Sequence, residues 1–172
     1  INNPSLSPSP GKPILVVKEF EQKFNDQIKI ESNFPPLTRD EIKIAHDSKF
    51  VDDILDCIAP NGFGNTSKEV ADSLPWTNGS FYAAAKYALS NNEVAMSPTS
   101  GFHHAEYNKA MGFCTFNGLM ITCLLLKTNF NIKKVAIVDL DAHYGNGTDN
   151  IIKKFDINWV KNYTFGFIFN ET

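Results

Sequence analysis

The spacing of apolar residues predicts a helix near the start of the chain. In PILVVKEFEQKF, positions such as Val17, Phe20 and Phe24 recur every three to four residues, which is the helical period, and Pro13 suits a first helical turn. We therefore predict a helix over residues 13–24. Residues 1–12 are rich in Pro, Ser and Asn and are predicted to be a loop.

Capping signals predict the next two helices. Thr38, with Glu41 three residues later, fits a capping box and predicts a helix that continues through His46. Asp47, or the serine after it, can cap a further helix that runs to about Ile58. His46 lies in an amphipathic helix, so we expect it at the surface or at the edge of the core.

The rest of the pattern alternates apolar strands with helices. Strands are predicted at residues 27–30, 93–97, 135–139 and 162–169, and helices at 76–89, 116–127 and 149–155. Gly, Asn, Ser and Pro are frequent in residues 60–75, which predicts a long surface loop. Strands that alternate with helices indicate an α/β fold with a mainly parallel sheet flanked by helices, formed by residues 13–172.

Composition indicates a folded domain in a reducing compartment. Of the 172 residues, 42% are hydrophobic and 14 are Phe, which is enough for a packed core. Cys57, Cys114 and Cys123 show no paired spacing, so we expect a cytoplasmic protein, or a nuclear one in a eukaryote.

The net charge of −3 indicates no direct nucleic-acid binding, and no apolar run has the length of a membrane span. The first residue is not Met, which leaves an upstream targeting segment open.

Candidate chemistry begins where the strand over residues 135–139 ends. Asp139, Asp141 and His143 alternate, so they share one side of an extended chain. Two adjacent carboxylates are costly to bury without compensation, and a cation that binds Asp and His provides it. A turn over Gly145-Asn146-Gly147 would then pass tightly beneath the site. The alternative is a strand that ends in solvent, with a histidine in the loop that follows.

A tandem pair, His103-His104, holds two of the four histidines and lies after the predicted strand at residues 93–97. Two imidazoles near a hydrolytic water suit general acid–base catalysis, because they titrate near neutral pH. The alternative for the pair by itself is a solvated loop.

Together these motifs resemble the histone deacetylase family. GFHHAEYNKAMGFCTFNGLMI (101–121), followed by VAIVDLDAHYGNGT (135–148), is similar to that family in both content and order. The family includes bacterial acetylpolyamine amidohydrolases and acetoin-utilization-type proteins. The resemblance implies an arginase-like α/β fold and a zinc-dependent hydrolase that removes an acyl group from acetyl-lysine or from a small acetylated amine.

The resemblance also implies roles for single residues. Asp141 and His143 match two of three zinc ligands. His104 matches the general base, and His103 matches its partner, which supports the leaving amine. Asp139 matches the carboxylate that orients His103.

Further positions match parts of the family's site that orient a catalytic residue or line the acyl channel. Asn146 falls where members carry Asp or Asn, and it would orient His104. Gly112 and Phe113 match the wall of the acyl channel. Tyr144 replaces a second histidine that is usual after the zinc-binding one, so we expect a change in packing or in the pocket wall.

A potassium site is implied as well, with Asp139, Thr164 and Phe165 as its loosely aligned ligands. Two expected residues have no match before Thr172: the third zinc ligand, a later Asp, and the oxyanion-binding Tyr. We expect an incomplete, N-terminal portion of a deacetylase domain that pairs with a missing C-terminal half, or self-associates through an open sheet edge. The alternative function is a non-catalytic binding or structural module with the deacetylase fold.

Overall fold

In a computed structural model, the described residues are 11–166. The described part contains six helices and two strands, in the order α1 (Lys12–Phe24), α2 (Arg39–Lys43), α3 (Ser48–Leu55), α4 (Lys68–Asn91), α5 (Gly118–Phe130), β1 (Val135–Asp139), α6 (Asn146–Lys154) and β2 (Val160–Thr164). This is the α/β arrangement predicted from the sequence. Most of the loop predicted at residues 1–12, and the end of the strand predicted at 162–169, lie outside the described residues.

Side-chain caps begin several helices where the sequence predicts them. Thr38 accepts from the backbone N–H of Glu41, and the Glu41 carboxylate accepts from the Thr38 backbone N–H, which completes the capping box. Asp47 accepts from the Phe50 backbone N–H and begins α3. Pro13 lies in the first turn of α1. Local chemistry therefore sets these helix starts.

The core lies between α5 and the elements around it. Phe116, Met120 and Ile121 are at most 1% exposed and pack with Ile42 of α2 and Ile151 of α6. Helix α5 is apolar on nearly every side, which is typical of a central helix. In contrast, α1 has no buried residue. None of the helices in the described part is long and apolar enough to span a membrane.

The two strands run parallel, and α6 forms the crossover between them. Val135 pairs with Val160, and the register continues to Asp139 opposite Thr164. Both strands end at the same edge of the sheet, where parallel α/β folds place their ligands. The polar residues that follow β1 are therefore at the expected edge for a site.

Two predicted strands are absent from the described part. Residues 27–30 and 93–97 have no regular structure and find no partner strand there. Ile30 is 52% exposed and Val94 is 98% exposed. A short apolar run becomes a strand only when a neighbouring strand satisfies its backbone groups, and no local signal supplies that neighbour.

The loop predicted over residues 60–75 is wrong in its second half, because α4 begins at Lys68. Ser67 caps this helix by accepting from the Val70 backbone N–H. Pro75 lies inside the helix, where it cannot donate a backbone hydrogen bond. The Pro75 carbonyl accepts a hydrogen bond from the backbone N–H of Leu37, 3.1 Å away. This hydrogen bond joins α4 to the segment before α2.

Two smaller predictions also change. Strand β1 is only half-buried, with Val138 61% exposed, although its residue types predict burial. The helix predicted to begin at Asp149 begins at Asn146, so the expected tight turn is the first turn of α6.

Candidate active site

Two segments meet at the carboxyl end of β1: the loop that carries the tandem histidines, and the start of α6. The His103 carbonyl accepts backbone hydrogen bonds from Gly147 at 2.9 Å and from Thr148 at 3.2 Å. A side chain on Gly147 would collide with the Ala105 carbonyl, so only glycine permits this approach. The first turn of α6 therefore holds the tandem histidines against the sheet.

His103 forms the first of two imidazole pairs. Its Nδ1 lies 2.7 Å from Oδ2 of Asp139, and both side chains are nearly buried. The other carboxylate oxygen of Asp139 accepts from the Asp141 backbone N–H at 3.1 Å. Asp139 thus orients the His103 ring.

His104 forms the second pair. Its Nδ1 lies 2.7 Å from Oδ1 of Asn146, an oxygen that can only accept, so this pairing requires the proton on Nδ1 and leaves the lone pair on Nε2. Partial burial lowers the pKa of His104 below its usual value, and the nearby His103 and His143 rings lower it further. The His103 and His104 ring centroids are 4.0 Å apart. The structure therefore places an amide-paired imidazole beside a carboxylate-paired one.

Asp141 and His143 lie next to these pairs and are about half exposed. Oδ1 of Asp141 is 2.9 Å from Nδ1 of His143 and 3.8 Å from Nε2 of His103. Burial opposes ionisation of Asp141, but hydrogen bonds from the His143 backbone and ring outweigh it and lower the pKa of Asp141. A zinc ion holds its oxygen and nitrogen ligands at about 2.0–2.2 Å, so one ion can contact Asp141 and His143 together.

The side chains of Asp141 and His143 fit two of the ligand positions of a catalytic zinc site, which takes three protein ligands. Within residues 11–166 no group of three His, Cys, Asp or Glu side chains is placed to hold a metal ion. The expected third ligand has no counterpart in this part of the chain.

Gly112 and Phe113, the predicted channel wall, form the two central residues of a tight hairpin. Met111 and Cys114 exchange backbone hydrogen bonds at 2.9 and 3.0 Å around them. Both central residues have positive φ, +57° and +63°, as a type I′ turn requires. A side chain at position 112 would collide with the His104 ring. The hairpin therefore packs its glycine on His104 and leaves the Phe113 ring 48% exposed beside the site.

The predicted potassium ligands are only partly brought together. Thr164 lies opposite Asp139 in the sheet, and its hydroxyl accepts from the Gly145 backbone N–H at 2.9 Å. Phe165 follows with its side chain 72% exposed. The potassium site stays a prediction.

Tyr144 connects the loop that holds His143 to α6. Its hydroxyl donates to Oδ2 of Asp149, and this bond raises the pKa of Tyr144 to about 12. The residue is half-buried, and the expected change in packing or in the pocket wall stays a prediction.

Sequence reasoning misplaced His46 and missed Asn117. His46 lies after α2 rather than within it, and it is 2% exposed rather than at the surface or at the edge of the core. Its Nδ1 contacts the carbonyls of Glu106 and Tyr107, and its Nε2 accepts from the Asn117 backbone N–H at 2.8 Å. The buried Asn117 side chain donates to the Ala105 carbonyl and caps α5. In the sequence, only the position of Asn117 shortly after Gly-Phe-Cys could have indicated this role.

The chain also matches the sequence model of a known protein family. The model of the histone deacetylase domain matches residues 9–160, which is most of the chain. The chain belongs to the histone deacetylase family. The resemblance inferred from the two sequence motifs is thereby confirmed.

Relatives within the histone deacetylase family match over shorter segments. Human histone deacetylase 9 is 59% identical over 46 residues, and human histone deacetylase 7 is 39% identical over 77 residues. Histone deacetylase 4 of Caenorhabditis elegans is 41% identical over 66 residues. These segments are 27%, 42% and 37% of this chain, but only 4%, 8% and 7% of the relatives.

The crystal structure of the HDA15 HD domain shares the fold, with a TM-score of 0.72 at 23% sequence identity. The match covers 90% of this chain and 44% of the other. The predicted deacetylase-like α/β fold is confirmed, and this chain spans less than half of that domain.

Proposed function

We propose that this chain supplies the tandem-histidine part of a zinc-dependent deacylase site that hydrolyses acetyl-lysine or a small acetylated amine. The observation that carries the proposal is the convergence of two imidazole pairs, His103–Asp139 and His104–Asn146, on the segment that holds Asp141 and His143. Hydrolysis of an amide needs a base for water and an acid for the departing amine, and the two imidazoles supply both.

The two histidines divide these tasks because their partners differ. His104 donates its Nδ1 proton to a neutral amide, so its Nε2 lone pair can remove a proton from the attacking water. His103 faces the carboxylate of Asp139, which stabilises an imidazolium that can protonate the leaving amine.

Asp141 and His143 would hold the metal ion. Zinc, when bound, polarises the acyl carbonyl and lowers the pKa of water. Because the two residues are half exposed and close together, they can contact an ion without rearrangement of the buried pairs. A third ligand would come from outside the described residues.

The test uses this chain fused to the C-terminal part of a histone deacetylase domain. We expect the fusion to bind zinc and to release acetate from an acetyl-lysine reporter peptide. His143→Ala should lose zinc and turnover together. His104→Ala should keep zinc and lose roughly a hundredfold or more in kcat, the usual contribution of a positioned base. Full zinc content in His143→Ala, or unchanged turnover in His104→Ala, would contradict the assignments.

One observation favours a second function, a non-catalytic module with the deacetylase fold. Within residues 11–166 no three His, Cys, Asp or Glu side chains are placed to hold a metal ion, and Asp141 and His143 are about half exposed. In this case the chain would bind an acetyl-lysine peptide without releasing acetate, even when fused and supplied with zinc. Isothermal titration with the peptide, beside the acetate assay, separates the two functions.

A further inference from the structure

The orientation of the Asn146 amide determines which nitrogen of His104 carries the proton. An amide has an accepting oxygen on one side and a donating nitrogen on the other. With its oxygen towards His104 it holds the proton on Nδ1, and with its nitrogen towards His104 it would hold the proton on Nε2. A carboxylate at this position could only accept, so the choice arises specifically because residue 146 is Asn.

Glu106 contacts the other end of this amide. The Asn146 side-chain nitrogen donates to Oε1 of Glu106 at 3.0 Å and lies 3.6 Å from the Met111 sulfur. Carboxylate and thioether groups accept hydrogen bonds but do not donate them at neutral pH. If the amide turned over, its oxygen would face two acceptors, and the hydrogen bond to Glu106 would be lost.

Glu106 is itself held in place by the backbone around it. Its N–H donates to the Lys109 carbonyl at 2.9 Å, and its own carbonyl contacts Nδ1 of the buried His46 at 3.0 Å. The side chain is half-buried and starts only two residues after His104. The side chain thus extends from a hydrogen-bonded backbone and brings its carboxylate within reach of the Asn146 amide.

We propose that Glu106 is a positioning residue that selects the Nδ1–H tautomer of His104 by fixing the orientation of the Asn146 amide. The consequence for function rests on the proposed role of His104 as the base, because only the Nδ1–H tautomer leaves Nε2 free to accept a proton. A hydrogen bond to a charged acceptor biases such an equilibrium roughly tenfold or more.

The tautomer can be measured in the 172-residue chain without turnover or metal. The nitrogen-15 chemical shifts of an imidazole distinguish protonated from unprotonated ring nitrogens, and alkaline pH keeps the ring neutral. We expect the unaltered chain to show one tautomer of His104, with the proton on Nδ1. In Glu106→Ala we expect the Nε2–H form to rise roughly tenfold or more relative to the Nδ1–H form.

Three further variants separate positioning from damage to the fold. Glu106→Gln keeps an accepting oxygen and should keep the Nδ1–H tautomer. Asn146→Asp, added to Glu106→Ala, should restore that tautomer because both carboxylate oxygens accept. Glu69→Ala, the same truncation at an exposed site in the first turn of α4, should change nothing.

The outcomes that would overturn the inference differ from those that would overturn the proposed function. If the unaltered chain has its proton on Nδ1, and Glu106→Ala leaves it there, the role of Glu106 is wrong while the base assignment stands. If Asn146→Asp fails to restore the tautomer in a folded double variant, the amide is not the intermediary. If the unaltered chain carries the proton on Nε2, both the inference and His104 as the base are wrong.

Discussion

At the scale of single residues, the most consequential buried group outside the candidate site is His46. Both of its ring nitrogens are hydrogen-bonded to backbone groups, and its ring packs against Phe50 and Phe116. Burial lowers its pKa from 6.5 to about 4, although contacts with two carbonyls oppose this shift. The folded protein therefore holds His46 neutral across the pH range in which an unfolded chain takes up the proton.

We predict that His46 makes the free energy of unfolding depend on pH. The folded pKa lies below the unfolded one, so stability is full above about pH 6.5 and falls as the pH drops towards 4. The loss from this group reaches about 3 kcal/mol. In urea unfolding from pH 7 to pH 4, His46→Gln should lack this part of the slope. Val51→Ala, which weakens the core without removing a titrating group, should keep it.

A second prediction at this scale concerns Gly112. Gly112→Ala meets both a left-handed backbone and the His104 ring, whereas Gly64→Ala meets a left-handed backbone, φ +74°, with open space around it. We expect each to cost about 1 kcal/mol in unfolding free energy for the backbone. Only Gly112→Ala should also shift the NMR signals of His104. Equal effects on His104 would mean that the hairpin does not pack on the ring.

At the scale of elements, Asn117 shows how a helix cap can also connect the fold. It caps α5 through its side-chain oxygen, while its side-chain nitrogen donates to the Ala105 carbonyl and to Oγ1 of Thr148 in α6. The residue is completely buried. One side chain thus joins the central helix, the tandem-histidine loop and the helix that supports it.

We predict that the two hydrogen bonds donated by the Asn117 side chain contribute more to stability than its cap of α5. Asn117→Asp preserves a good capping oxygen but loses both donated bonds and buries a charge, so we expect it to destabilise by about 2–4 kcal/mol, as much as Asn117→Ala. Thr38→Ala, at the exposed capping box of α2, should cost only about 1 kcal/mol. Urea unfolding measures all three. An Asp variant as stable as the unaltered chain would show that Asn117 acts only as a cap.

At the scale of the whole molecule, the two-stranded sheet has an apolar face that the described residues leave uncovered. Val138 and Tyr163 pair directly across the strands and are 61% and 46% exposed, and Leu140 beyond β1 is 82% exposed. Contiguous exposed apolar surface of this kind is typical of a contact surface. A further part of a deacetylase domain, or a second copy of the chain, would suit it.

We predict that this face binds an apolar dye in the isolated 172-residue chain. Val138→Thr combined with Tyr163→Thr should reduce fluorescence of the dye and self-association in sedimentation, while changing unfolding free energy by about 1 kcal/mol or less. Ile137→Thr, on the buried face, should instead destabilise by about 2 kcal/mol and leave dye binding intact. If the double variant and Ile137→Thr lower the unfolding free energy equally, the face that contains Val138 and Tyr163 is covered in solution.

Much of the element order could be predicted from the sequence, because it depends on local signals. The capping box at Thr38, the apolar run of α5 and the buried-type run of β1 each act over a few residues. The false strands at residues 27–30 and 93–97 had the same local signals without a partner, and α4 begins at Lys68 behind its Ser67 cap, although Gly, Asn, Ser and Pro in residues 60–75 indicate a loop. Strand pairing depends on residues that are distant in the sequence.

The sequence by itself determined which chemical groups the site contains and their order: tandem histidines, then alternating Asp, Asp and His at the end of a strand. Spacing along a strand decides which side chains share a face, so these groups were predictable. Only the tertiary structure decided the partners: Asp139 for His103, Asn146 for His104, and Glu106 for Asn146 across 40 residues. Such hydrogen bonds join segments distant in sequence, and they depend on the packing of α5, α6 and β1, which no local pattern specifies.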